Sequence, residues 1–251
     1  MKEVIHSDCR QSMYLRLSIT EVCSFHCQYC QPNGIMEKVA KTKYLTPQEI
    51  QKLIQSLADL GVTRVRLTGG EPLIRPEVLE IIERIRSVSG IREISLTTNG
   101  MRLQRFAADL KRAGLDRINV HLDSLNNDRF SKLTKNGSLK SVLGGIDAAT
   151  KVGLTPVKVN TVLMKGINDD ELVDFCNYAG ESGVTVRFIE LMNTGPSQEF
   201  VRKHFLSAKE AKRYLGKQFD MVPRFDQQGG APAQEYLLPG LKDTTIGFIA
   251  S

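Results

Sequence analysis

Tyr14-Leu15-Arg16-Leu17-Ser18-Ile19-Thr20-Glu21-Val22-Cys23-Ser24-Phe25-His26-Cys27-Gln28-Tyr29-Cys30 holds three of the chain's five cysteines and joins two signals. Residues 14–20 alternate polar and apolar side chains, the period of a strand with two unlike faces. The loop that follows spaces its cysteines C-x3-C-x2-C. Three thiolates on one tight loop suit an iron–sulfur cluster. A cubane takes four, so three leave one iron open for a small molecule. The residues alone also admit a zinc knuckle with His26 as fourth ligand, or buried free cysteines.

Outward from this stretch the order strand, loop, helix repeats. Thr46, Pro47 and Glu49 form a helix start with a capping box. Ile50, Leu53, Ile54, Leu57, Ala58 and Leu60 then make an apolar stripe that ends at Gly61. Strands are expected at 64–68, 93–98, 117–123, 157–163 and 185–191. Helices are expected near 76–88, 103–112, in a long stretch ending near Val152, and near 169–181 and 207–215. Such βα units make a parallel sheet with right-handed connections. Six units fall short of a closed eight-stranded barrel. The fold class is therefore α/β, an open three-quarter (β/α)6 barrel. Residues 1–217 form the barrel. Residues 218–251, with strand-like runs at 234–238 and 244–250, form a short β extension toward its open side.

One strand face is polar throughout: Arg16, Ser18 and Thr20; Arg64, Arg66 and Thr68; Ser95, Thr97 and Asn99; Asn119, His121 and Asp123; Lys158 and Asn160. Helices must cover the apolar face, so the polar one lines the interior as a cavity for a large polar ligand. The sixth strand, with Arg187 but also Ile189, fits poorly. An antiparallel sheet with one wet face would alternate the same way, but it would lack the intervening helices. The Gly69-Gly70-Glu71-Pro72 turn sits at a strand end, where the missing Cβ atoms allow close backbone approach to a ligand.

Composition sets limits. Of 251 residues, 41% are hydrophobic and 25% charged, an ordinary balance for a packed domain. No apolar run reaches transmembrane length, and residues 1–8 lack the apolar core of a signal peptide. Odd, clustered cysteines indicate a reducing compartment, hence a cytoplasmic protein. The net charge of +6 comes with no tryptophan and no aromatic–basic interleaving, so neither nucleic acid nor membrane is expected as a partner. Cys176 falls on an expected helix as a buried, inert thiol, and Cys9 has no evident partner.

The cysteine loop, with Tyr29 before its last cysteine, resembles the signature of the radical S-adenosylmethionine (SAM) superfamily. The segments 14–20, Leu67-Thr68-Gly69-Gly70-Glu71-Pro72-Leu73, Leu96-Thr97-Thr98-Asn99-Gly100, Lys165-Gly166-Ile167-Asn168-Asp169 and Arg187-Phe188-Ile189-Glu190-Leu191-Met192 resemble its GTP 3′,8-cyclase branch in molybdenum cofactor (molybdopterin) biosynthesis. The resemblance implies one 4Fe–4S cluster on Cys23, Cys27 and Cys30, which are both the metal ligands and the catalytic centre. It implies SAM against Tyr29, Gly70 and Met192, with Glu71 near its amino group. His121 stands where the family has a SAM-contacting serine. GTP would meet Arg16, Arg66, Thr97 and Lys158, with Arg64 and Arg187 as weaker candidates. The implied reaction is that of a lyase. A 5′-deoxyadenosyl radical takes hydrogen from C3′ of GTP, and the product is (8S)-3′,8-cyclo-7,8-dihydroguanosine 5′-triphosphate.

The family continues past the equivalent of 247–251 with cysteines for a second 4Fe–4S cluster that holds the base. None of those cysteines falls within residues 1–251, so a single cluster is the expectation for this sequence. With Ser251 as the true end, SAM binding with little GTP cyclisation is expected. Other readings are a radical SAM enzyme for another substrate, or a non-catalytic SAM- or nucleotide-binding remnant. A homodimer or a partner chain supplying the cysteines stays open, and the electron donor is unknown.

Overall fold

The computed structural model describes residues 13–30, 44–192, 198–224, 233–242 and 244–250. Cys9, the connector at 33–43 and the glycine-rich turn at 227–230 lie outside them. The chain runs β1 (Met13–Ser18), α1 (Pro47–Asp59), β2 (Val62–Thr68), a short 3-10 turn (Pro72–Ile74), α2 (Val78–Arg86), β3 (Glu93–Thr98), α3 (Leu103–Arg112), β4 (Arg117–His121), α4 (Asn127–Thr134) and α5 (Leu139–Lys151). It continues through β5 (Lys158–Leu163), α6 (Leu172–Ser182), β6 (Thr185–Glu190), α7 (Gln198–His204), α8 (Ala208–Leu215), β7 (Val222–Arg224), β8 (Gln234–Leu238) and β9 (Thr244–Ile249).

The sheet order is β1-β2-β3-β4-β5-β6-β9-β8-β7, and among the described residues β1 and β7 are its two edges and do not pair with each other, so the barrel is open. Strands β1 to β6 are parallel neighbours in chain order. The expected extension turns out to be part of this sheet. β9 docks on β6 as a further parallel strand, and β8 and β7 follow antiparallel.

Local chemistry explains most elements. Thr46 and Glu49 form a reciprocal capping box, with Pro47 at the first helical position. The stripe on α1 is narrower than expected: Ile50 and Ile54 are buried, but Leu60 is 71% exposed because it caps the helix rather than continuing it. The long stretch before Val152 splits into α4 and α5. Lys135 takes a positive φ of 63° there, and Ser138 caps a new helix. Strand residues such as Val65, Leu67, Ile94, Leu96, Ile118, Val120, Val159 and Val186 form the core beneath the helices.

The opposite face carries the site. Lateral neighbours in a sheet point the same way. The register aligns Arg16, Arg66, Ser95 and Arg117 across β1 to β4. It aligns Thr97, Asn119 and Lys158, and then His121, Asn160 and Arg187. The expected polar lining is present, and Arg187, buried on β6, belongs to it.

Candidate functional site

The cysteine loop leaves the C-terminal end of β1 and is pinned by three neighbours. The Gly70 and Glu71 amides donate to Thr20 O (2.8 Å) and Val22 O (2.7 Å). Asn99 Nδ2 donates to Ser24 Oγ at 3.0 Å. The His26 amide donates to Thr134 O at 3.0 Å, and Phe25 packs edge-on against Phe130. The two glycines thus admit the chain's own backbone. A Cβ on Gly69 would sit 2.2 Å from Thr20 O, and one on Gly70 2.2 Å from Val22 O. Gly69 also has a φ of 141°, which side chains rarely adopt.

Glu71 is 1% exposed. Its carboxylate accepts from Leu73 N (2.9 Å), Thr98 Oγ1 (2.7 Å) and Asn99 N (2.6 Å). Burial nevertheless raises its pKa. A carboxylate has about four lone-pair sites, so its main work is to lock the turn after β2 to the end of β3. Ser24, Thr98 and Asn99 therefore position the loop, a role that sequence spacing did not expose.

Tyr29 turns from the loop toward β4. Its hydroxyl donates to Asp123 Oδ2 at 2.7 Å and lies 2.6 Å from His121 Nε2, which is 2.8 Å from the same Asp123 oxygen. Asp123 is fully buried, and its Oδ1 accepts from Val162 N. Burial opposes charge on His121, but the Asp123 carboxylate outweighs it and raises the imidazole pKa. The histidine standing where the resemblance implies a serine is thus tied through Asp123 to the cysteine loop. Replacing His121 by serine is expected to leave the iron content unchanged and to shift the dissociation constant for SAM, which isothermal titration reads.

Cys23 is half-buried, Cys27 buried and Cys30 exposed, all as free thiols. Burial raises the pKa of each. Asp123 adds to this at Cys27 and Cys30, and the neighbouring cysteines add at Cys27. Burial and nearby negative charge favour the protonated thiols until a cation joins them. Cys23 Sγ already accepts the Phe25 amide at 3.4 Å. The donor set fits an iron–sulfur cluster. Among the described residues no three His, Cys, Asp or Glu side chains are gathered about a single point. His26 Nδ1 is engaged with Asn136 Nδ2 at 3.0 Å. Cys176 is fully buried on α6, and burial pushes its thiol up to about 12.

The cations gather on the same sheet face. Arg66 Nε donates to Ser95 Oγ at 3.3 Å, and Arg64 and Arg66 lie over the Tyr14 ring. Burial depresses the Arg66 pKa, as do the neighbouring charges of Arg187 and Arg16. Arg117, on the same face, pairs with Glu93. Lys158 and Arg187 both reach Glu235 of β8. Burial, reinforced by the Arg187 charge, brings Lys158 down to about 8. Arg16 on β1 is exposed and Thr97 on β3 half-buried, while Met192, just past β6, is 39% exposed. Arg117 could have been read from strand parity. Glu235 could not, because nothing local sets the pairing of β8 with β9.

A family model for the radical SAM superfamily matches residues 17–179. A curated GTP 3′,8-cyclase of Alkaliphilus metalliredigens (strain QYMF) is 42% identical over 240 residues, 96% of this chain and 73% of that protein. The chain belongs to the GTP 3′,8-cyclase family of radical SAM enzymes. The cyclase of Petrotoga mobilis (strain DSM 10674 / SJ95) is 41% identical over 95% of this chain and 73% of its own length. Among solved structures, Streptococcus suis SuiB bound to S-adenosylmethionine aligns with a TM-score of 0.63 at 12% identity, over 82% of this chain and 44% of its own. HydG, a maturase of the [FeFe]-hydrogenase, aligns at 0.64 and 18%, over 80% and 47%. At such identities these two establish the fold. The radical SAM domain carries a 4Fe–4S cluster and SAM as its cofactors. Among the described residues no helix is long and apolar enough to cross a membrane.

Proposed function

We propose that this chain binds GTP by its triphosphate on the inward cations, with the ribose toward the cysteine loop, and carries out the cyclase chemistry of its family. The observation that carries this is the shared face: Arg16, Arg66, Lys158 and Arg187 lie on the strand face whose C-terminal ends hold the loop. Cys23, Cys27 and Cys30 would hold the cluster, and Tyr29, Gly70, Glu71, His121 and Met192 border the place for SAM. When bound, cluster and SAM supply the one-electron chemistry that opens hydrogen abstraction from the ribose. The protein's own part is to hold the polyphosphate, orient the sugar and keep water from the reacting carbons. Guanidinium and ammonium groups in a half-buried cavity suit that task.

Anaerobic incubation of reconstituted protein with SAM, dithionite and GTP is expected to give 5′-deoxyadenosine together with loss of GTP, both read by mass spectrometry; GTP-dependent deoxyadenosine with little loss of GTP is the outcome expected if the base needs the family's second cluster. Deoxyadenosine formed at the same rate without GTP, with GTP left intact, would contradict the reading and favour another substrate.

Lys158 predicts a pH dependence. Its ammonium is charged below about 8 and attracts phosphate. A bound phosphate stabilises that charge, so binding takes up a proton once the free group has lost its own. Affinity is therefore full below pH 8 and falls as pH rises through it. Phosphate ionisation is complete by then. Between pH 7 and pH 9 the dissociation constant of GTP is expected to rise about tenfold. Calorimetry on Lys158→Met should show a flat profile at weaker affinity.

A further inference from the structure

Glu235 lies in the expected β extension, far in sequence from the residues it meets. The register places Arg187 beside Gly247 and Gly247 beside Glu235, one row across β6, β9 and β8. Gly247 has no side chain, so its two neighbours can lean toward each other above it. A Cβ there would lie 3.4 Å from Arg187 Cγ and 3.5 Å from Glu235 Cγ. Glu235 Oε1 accepts from Arg187 Nη2 at 2.8 Å and from Lys158 Nζ at 3.4 Å. Arg187 is only 5% exposed, yet among the described residues its Nε has no hydrogen-bond partner, and neither has Oδ1 of Asn160 beside it on β5. Burying such groups unpaired costs free energy, so a ligand that offers an acceptor to Arg187 Nε and a donor to Asn160 Oδ1 would relieve that cost. Arg224, opposite Glu235 on β7, is exposed and donates to Thr245.

One carboxylate thus bridges two of the cations best placed for phosphate, and an uncompensated buried donor sits next to the bridge. We propose that Glu235 is a resident counter-ion of the phosphate site, displaced from Lys158 and Arg187 when a polyphosphate binds. The inference rests on the polyphosphate part of the functional reading and deepens it. Free protein keeps Lys158 and Arg187 compensated and in place. A ligand phosphate then takes over the same N–H groups and reaches the unpaired Arg187 Nε. The freed carboxylate moves with its strand, so occupancy of the site is coupled to the β8–β9 hairpin.

The test uses inorganic tripolyphosphate, so that base recognition and turnover do not enter. Isothermal titration at low salt should show Glu235→Gln binding it about tenfold tighter than the parent chain, because the competing charge is gone. Glu235→Ala should do the same, which guards against a peculiarity of the amide. Asp59→Asn, at an exposed position on α1, controls for net charge and should change the affinity by less than about twofold. Hydrogen exchange supplies a second readout. Tripolyphosphate should speed exchange of β8 amides in the parent chain and leave Glu235→Gln unaltered. Affinity that is unchanged, weaker or undetectable in both glutamate variants overturns the proposal, as does tightening equal to that of Asp59→Asn. GTP turnover, measured separately, decides the cyclase reading. Tighter tripolyphosphate binding without GTP turnover would leave the counter-ion standing and remove the cyclase assignment.

Discussion

Alanine at Cys27 is expected to reduce the iron bound after anaerobic reconstitution from about four atoms per chain to a small residue, and SAM cleavage to background. Cys27 is buried between Cys23 and Cys30 and senses the charge of both. Two remaining thiols would leave two cubane irons without protein ligands. Loss of fold would produce the same iron count, so the informative comparison is Cys176→Ala. Cys176 lies fully buried on α6, where burial alone accounts for its raised pKa. Its truncation should lower stability by about 1 kcal/mol through lost packing while full iron binding and SAM cleavage persist. Iron analysis, circular dichroism and deoxyadenosine formation on both variants check this. Cys27→Ala protein retaining about four irons would remove Cys27 from the ligand set.

Gly70→Ala is expected to be strongly damaging, at about 3 kcal/mol or more in urea unfolding. The added Cβ would meet Val22 O at 2.2 Å and Val22 C at 2.5 Å. Both are backbone atoms that no rotamer change can move. Relief requires separating the turn after β2 from the segment leading to Cys23, which breaks the Gly70 N to Thr20 O and Glu71 N to Val22 O bonds. Iron incorporation should fall with stability, since that segment carries the cysteine loop. Gly240→Ala is the control: nothing lies within 4 Å of its added Cβ, and the change should be neutral within about 0.5 kcal/mol. Equal unfolding midpoints for the two variants would show that the close approach does not hold the loop.

Legibility followed the range of the interaction. The strand and helix order, the polar inward face and the capping box of α1 depend on spacings of two to four residues, and all are present in the structure. The join between α4 and α5 was missed because Lys135, not glycine, adopts the positive φ there. Gly69 and Gly70 were read as making room for a ligand, but the atoms that use the room belong to Thr20 and Val22. Glu71 was read as lying near the SAM amino group; the structure adds that three donors from this chain engage its carboxylate.

The sequence by itself determined the chemistry on offer. The C-x3-C-x2-C spacing places three thiols on one loop, and the period-two alternation separates cations from core, since both follow from local backbone geometry. Only the tertiary structure decided who meets whom. Tyr29 reaches His121 and Asp123 across ninety-odd residues. Glu235 reaches Arg187 because β9 docks on β6 and carries β8 with it. Those meetings depend on strand register and on sheet order, which a one-residue slip would undo for every side chain at once. Register is set by the packing of the whole sheet and by no short stretch of chain.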